Sequence, residues 1–242
     1  MRPYGIQLYS VRDSMEKDVF STLQKIAEIG YSYVEFAGFF GHSAEKIRQS
    51  LDDNGLTCRG THSSFEDLRP TKILDTIRYH KIIGNPNYII PGANLSSLSQ
   101  IEDFCNVMNF AKPILEAEDI RLGYHNHSHE FKVMPWGSTI HSEIEKRTDI
   151  DFEIDTFWAF ASDTDPVALM DRLNGRVKVI HLKDGFRNGD GTPLGGGEAP
   201  LLRVIDYAAS HGITIVVESE TLTPSGLAEA EICMDYLKSI EI

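Results

Sequence analysis

The sequence is poor in cysteine, in positive charge and in long apolar runs, and each shortage narrows what the chain can be. Its three cysteines, Cys58, Cys105 and Cys233, are odd in number, widely spaced and without a CxxC pair. They read as reduced thiols of a cytoplasmic protein, not as a secreted disulfide framework. Lys and Arg total 23 against 36 Asp and Glu, a formal net charge of −13, and no basic run offsets it locally. Nucleic acid and anionic membrane surfaces are therefore poor partners, and a metal cation or a neutral small molecule suits the chain better. No apolar stretch is long enough to span a bilayer, and the start MRPYGIQLYS enters a strand-like run without the apolar core of a signal peptide. There is no GxxxxGK[ST] spacing of a nucleotide-binding P-loop, no low-complexity linker and no charge block to divide the chain.

What is present is an ordinary globular composition, 41% hydrophobic and 24% charged over 242 residues, enough to bury a sizeable core. Short β-rich runs alternate with amphipathic helical patterns along the whole length. Strands are predicted at residues 4–10, 33–38, 57–63, 87–92, 120–127, 150–155, 177–184 and 213–220. Helices are predicted between them, as at 18–30, 43–55 and 101–119, the first two stopped by a glycine. Eight such units in one domain, residues 1–242, are the size of a (β/α)8 TIM barrel, with a doubly wound open sheet as the competing α/β architecture. The Gly-rich stretch GFRNGDGTPLGGGEAP at 185–200 follows the seventh strand. It reads either as a flexible loop or as a mobile cover over a pocket.

The polar residues fall where a parallel barrel keeps its chemistry. The motif GYHNHSHEF carries His125 and His127, which share a face because side chains alternate along a strand. Asp155 ends the sixth strand, His181 lies near the end of the seventh and Glu218 near the end of the eighth. Singly, His181 could be a hydrogen-bonded rim histidine and Asp155 a helix cap. Glu218 is harder to dismiss, because a carboxylate straight after ITIVV on a strand buried on both faces needs a partner, whereas Glu220 reads as a rim residue. Together the carboxylates would repel one another in a dry barrel mouth unless a cation compensates them. Carboxylate oxygens with an imidazole nitrogen and no thiolate suit one catalytic divalent ion, Mn²⁺, Mg²⁺, Co²⁺ or Zn²⁺.

The segments GIQLYSVRD, GYSYVEFAGFFGHSAEKIRQSLDDNGL, THSSFEDL, LGYHNHSHEF, EIDTFWAF, DPVALMDRLNGRVKVIHLKD and VVESE resemble the sugar phosphate isomerase/epimerase family of the xylose isomerase-like TIM barrel superfamily. HNHxxEF followed by HLKD is specific to a branch of it. The resemblance implies a single metal held from the ends of strands five to eight, with Asp155, His181 and Glu218 as ligands here. For the first ligand it implies Glu130, with His125 as the stand-in.

The chemistry expected of such a site is isomerisation or epimerisation of a sugar or keto-sugar through an enediolate, by proton abstraction α to a carbonyl. Glu218 and Glu130 are candidate bases, with His127, His125 and His62 of THSS as alternatives. Lys183 would hold a substrate oxygen, or simply reach the rim with its ammonium. Trp158, Tyr9 and Phe39 could pack against a sugar ring, and His62 and His125 could contact the substrate. Relatives with this fold that act as lyases or dehydratases on keto-inositols or 3-keto-glycosides give the runner-up reading. A sugar-binding barrel or scaffold without catalysis is the reading from another class. A DNA-repair endonuclease would need more ligands and a basic groove, against the charge of −13. The expected partner is a small-molecule sugar, and a homo-oligomer is compatible with the sequence.

Overall fold

The computed structural model describes residues 2–240. Its strands are β1 (Gly5–Gln7), β2 (Tyr33–Ala37), β3 (Thr57–His62), β4 (Asn87–Ile90), β5 (Arg121–His125), β6 (Asp151–Asp155), β7 (Val177–Leu182), β8 (Asp184–Gly185), β9 (Gly191–Thr192) and β10 (Thr214–Val217). Eight of them pair in parallel and close in the order β1-β10-β7-β6-β5-β4-β3-β2, a single (β/α)8 TIM barrel as expected; β8 and β9 form a small antiparallel hairpin on the rim. No helix among the described residues is long and apolar enough to cross a membrane.

The helices start and stop for local reasons. Asp18 accepts hydrogen bonds from the N–H groups of Phe20 and Ser21 to begin the helix Val19–Ile29, and Gly30, at φ 114°, ends it in the left-handed region that glycine tolerates. In the helix Leu98–Glu116 the Ser97 cap on the Gln100 N–H sets a start three residues earlier than the sequence reading at 101. The outward-facing Val34, Phe36, Ile90, Leu122, Ile154 and Ile180 bury against these helices in one continuous core. Burial of each such side chain stabilises the fold by roughly 1.5–3 kcal/mol. A second, smaller apolar group of Tyr33, Val179 and Val216 fills the barrel interior.

Two expectations change. The first strand is short, because Gln7 accepts from the Tyr9 N–H and turns the chain into a 3-10 helix at Leu8–Val11. The stretch 185–200 is tethered, neither a free loop nor a loose cover. The Asp184 carboxylate accepts from the N–H groups of Gly185, Gly195, Gly197 and Ala199 at 2.8–3.1 Å and gathers the segment around itself.

Register then aligns the polar residues. His125 lies beside Glu153 across β5 and β6, Asp155 beside His181 across β6 and β7, and His181 beside Val216 across β7 and β10. Glu218, two residues past Val216, shares its face.

Candidate metal centre and active site

Four side chains meet at the mouth, each delivered by a strand end. His125 and Asp155 are the last residues of β5 and β6, His181 is the penultimate residue of β7, and Glu218 follows β10 directly. All four are buried, and one ligand atom from each lies within 4.8 Å of the others. Backbone contacts hold their strands in register. Asn126 donates to the Asp155 carbonyl at 3.2 Å and accepts from the Asp155 N–H at 3.1 Å, while the Thr156 hydroxyl donates to the His181 carbonyl at 2.9 Å. Asp155 Oδ1 caps the next helix by accepting from the Trp158 N–H at 2.8 Å. Its Oδ2 is buried and has no partner.

Beneath them lies a second polar layer. Glu35 Oε1 is 3.1 Å from His62 Nε2 and 3.0 Å from His181 Nε2, and accepts from Gln7 Nε2 at 2.6 Å. Glu153 Oε2 is 2.7 Å from His62 Nε2, 3.2 Å from His125 Nδ1 and 3.2 Å from His181 Nε2. Glu35 and Glu153 were not singled out from the sequence. Two signals could have found them. Glu35 is a lone charge in YVEFAG on a doubly buried strand, and Glu153 sits two residues before Asp155 on the same face.

The electrostatics follow from crowding in a dry interior. Burial, and then the charge of Glu35, pushes Glu153 well above the usual carboxylate range. Burial works the same way on Glu35, but His62 and His181 beside it outweigh that and hold it low. Asp155 is pushed up to about 7 by burial, against the pull of Lys183. Glu218 is held well below the ordinary value despite burial, by Lys183 and His181. Burial lowers His125 and His62, whereas Glu153, Glu218 and Glu35 raise His181 against the same effect.

The other anticipated residues divide. Lys183 is buried, 3.4 Å from Glu218 and paired with Glu220, with its ammonium 4.8 Å from the Trp158 ring. His127 is half-buried, its ring 4.9 Å from His125 and 6.3 Å from Trp158. His62 reaches the lower layer, and a cavity of about 510 Å³ opens beside it, lined by Phe39, Tyr79 and Tyr88. Tyr9 is 44% exposed on the rim with Arg12 over its ring, and Phe39 packs on Phe36 and Tyr79. Glu130 is the exception. It is not brought to Asp155, His181 and Glu218; its neighbours are His127 and His129. Its oxygens accept from the Tyr124 hydroxyl at 2.8 Å and the His127 N–H at 2.9 Å, which turns the carboxylate into a loop clasp. His125 occupies the fourth place in the mouth instead.

Two imidazoles, two carboxylates and an unpartnered buried oxygen fit a divalent cation, whose charge would relieve the repulsion that the fold otherwise carries. The sequence profile described as xylose isomerase-like TIM barrel matches residues 23–239. The chain belongs to that family. Among solved structures it is similar to a sugar phosphate isomerase/epimerase from Parabacteroides distasonis, at 24% identity and TM-score 0.81 over 99% of this chain and 94% of that one. It is also similar to the probable 3-DHS dehydratase AsbF of Bacillus anthracis, at 13% identity and TM-score 0.75 over 98% and 99%. An L-ribulose 3-epimerase matches at 15% identity and TM-score 0.70 over 99% and 94%. At these identities the similarity speaks for the fold. No curated protein matches the chain.

Proposed function

We propose that the protein is a divalent-metal-dependent isomerase or epimerase of a sugar or keto-sugar that works by proton abstraction α to a carbonyl. The observation that carries this reading is the buried Asp155 Oδ2 without a partner, on a residue that the barrel gathers with His125, His181 and Glu218. These four residues would hold the ion. When bound, it supplies Lewis acidity to a substrate carbonyl and so acidifies the neighbouring C–H.

The remaining steps belong to side chains. Lys183, fixed between Glu218 and Glu220 against the Trp158 ring, places an ammonium where a substrate oxygen gains negative charge. In isomerisation His127, at the rim beside His125, accepts the α proton and returns it to the neighbouring carbon on the same face; in epimerisation the Glu218 carboxylate accepts the proton on one face and His127, protonated, gives one to the opposite face. Trp158 offers a flat wall for a sugar ring. The net charge of −13 favours a neutral sugar over a polyanion.

A lyase or dehydratase acting on keto-inositols or 3-keto-glycosides begins with the same abstraction, and similarity to a probable dehydratase keeps it as the second reading. Incubation with ketoses and keto-glycosides in D₂O with Mn²⁺, Co²⁺, Zn²⁺ or Mg²⁺, followed by NMR, separates the two. Deuterium at the α carbon of a product isomeric with the substrate marks isomerisation or epimerisation, and an unsaturated product marks elimination. Absence of exchange with every sugar, together with no bound ion under any supplementation, would sink both and leave a sugar-binding barrel.

A further inference from the structure

The two imidazoles of the mouth each have a second nitrogen, and both turn it to the same place. His125 Nδ1 and His181 Nε2 each lie 3.2 Å from Glu153 Oε2, and His181 Nε2 is also 3.0 Å from Glu35 Oε1. We propose that Glu153, backed by Glu35, is a positioning residue that fixes which nitrogens face the ion, namely Nε2 of His125 and Nδ1 of His181. The inference rests on the metal reading above. A ring N–H given to a carboxylate sets the tautomer, holds the ring plane and makes the opposite nitrogen a better ligand. His181 fits this assignment, since its Nδ1 points to Glu218 at 3.2 Å, on the mouth side.

The carboxyl pair is built into the barrel. Gln7 donates to Glu35 from β1, and His62 from β3 touches both carboxylates. Gly60 makes the room: a Cβ there would lie 2.3 Å from Glu35 Oε2, so only glycine lets the β2 carboxylate lie at this level. His62, His125, Glu153 and His181 could themselves surround an ion. That group draws on the same two rings as the mouth, however, and an ion in each place would strip both nitrogens of a shared ring of their protons. The lower layer therefore reads as the orienting partner of one ion.

The test uses the full chain labelled with ¹⁵N-histidine, read by long-range ¹H–¹⁵N correlation without metal and with Zn²⁺, alongside calorimetric titration of Zn²⁺. The expected state without metal is a neutral Nδ1–H ring for His125, while His181, among three carboxylates, keeps its Nε2–H with and without metal and loses the proton on Nδ1 when Zn²⁺ binds. Glu153→Gln should weaken ion binding about 10- to 100-fold. Glu35→Gln should weaken it less, because Glu153 still faces His181, and Gly60→Ala should act in the same direction as Glu35→Gln without changing any charge. Reversed tautomers, or unchanged affinity in Glu153→Gln, would overturn the inference. So would two ions per chain with one lost in His62→Ala. If the wild type binds no ion, the functional reading fails while the His125 tautomer still decides the positioning.

Discussion

Two clusters of histidine and glutamate or aspartate begin within two residues of each other in the sequence and end in opposite states. His125 joins Asp155, His181 and Glu218 in the mouth, where Asp155 Oδ2 is buried without a partner. His127 and His129 gather instead around Glu130, whose oxygens both accept hydrogen bonds, from Tyr124 and from the His127 backbone. The residue types are nearly the same. What differs is whether the buried oxygens are satisfied by the protein itself: both Glu130 oxygens are, whereas Asp155 Oδ2, like Glu35 Oε2 and Glu153 Oε1 in the layer beneath it, is not.

The largest expected effect comes from removing a mouth ligand. Asp155→Ala should weaken Mn²⁺ or Zn²⁺ binding by more than ~100-fold, beyond the range of a supporting residue. An ion at 100 times its Kd adds about 2.7 kcal/mol of stability, which for a chain of this size raises Tm by roughly 5–10 °C. Calorimetry with and without a chelator should show that increment in the wild type and not in Asp155→Ala. The same pair of scans on Glu130→Ala breaks the comparison if the increment disappears there too.

Glu130→Ala has its own smaller signature. It leaves the buried Tyr124 hydroxyl and the His127 N–H without their acceptor, at a cost of about 1–3 kcal/mol in unfolding stability. Urea denaturation measures it, and ion affinity should stay within about threefold of wild type. Stability lost without affinity marks a clasp, and affinity lost with it would return Glu130 to the metal.

The residues that were legible in the sequence are those governed by strand periodicity. His125, Asp155, His181 and Glu218 all sit at strand ends, where alternation of faces and the polarity of a parallel barrel are enough to aim them. Glu130, which the resemblance offered as first ligand with His125 as the stand-in, lies apart from the mouth because β5 stops at His125 and the chain turns into a short 3-10 helix at His129–Phe131. Glu35 and Glu153 were within reach of the argument that picked out Glu218, a charge on a doubly buried strand, applied to β2 and β6. The tether of segment 185–200 was out of reach, since which N–H groups Asp184 collects depends on a fold-level path that local pattern does not record.

The last prediction sharpens the same contrast with two buried histidines. His181 lies among Glu35, Glu153 and Glu218, which raise its pKa despite burial. His141 lies stacked between Phe131 and Phe152, near Glu145, and burial, with Arg172 and Arg176 adding to it, pushes it down to about 3. A ring that stays neutral when folded but takes a proton near 6.5 when unfolded leaves stability intact above pH 6.5 and loses it as the pH falls towards 3. At pH 5.5, about one unit below the unfolded value, the loss is about 1.4 kcal/mol. His141→Phe keeps the stack and removes the proton site. Between pH 8 and pH 5.5, the decline in urea-unfolding free energy should therefore be smaller in this variant by about that amount, contributions from all other groups cancelling in the difference. An equal decline in both proteins would mean that His141 takes up its proton in the folded state, and that stacking between two phenyl rings does not hold a buried imidazole neutral here.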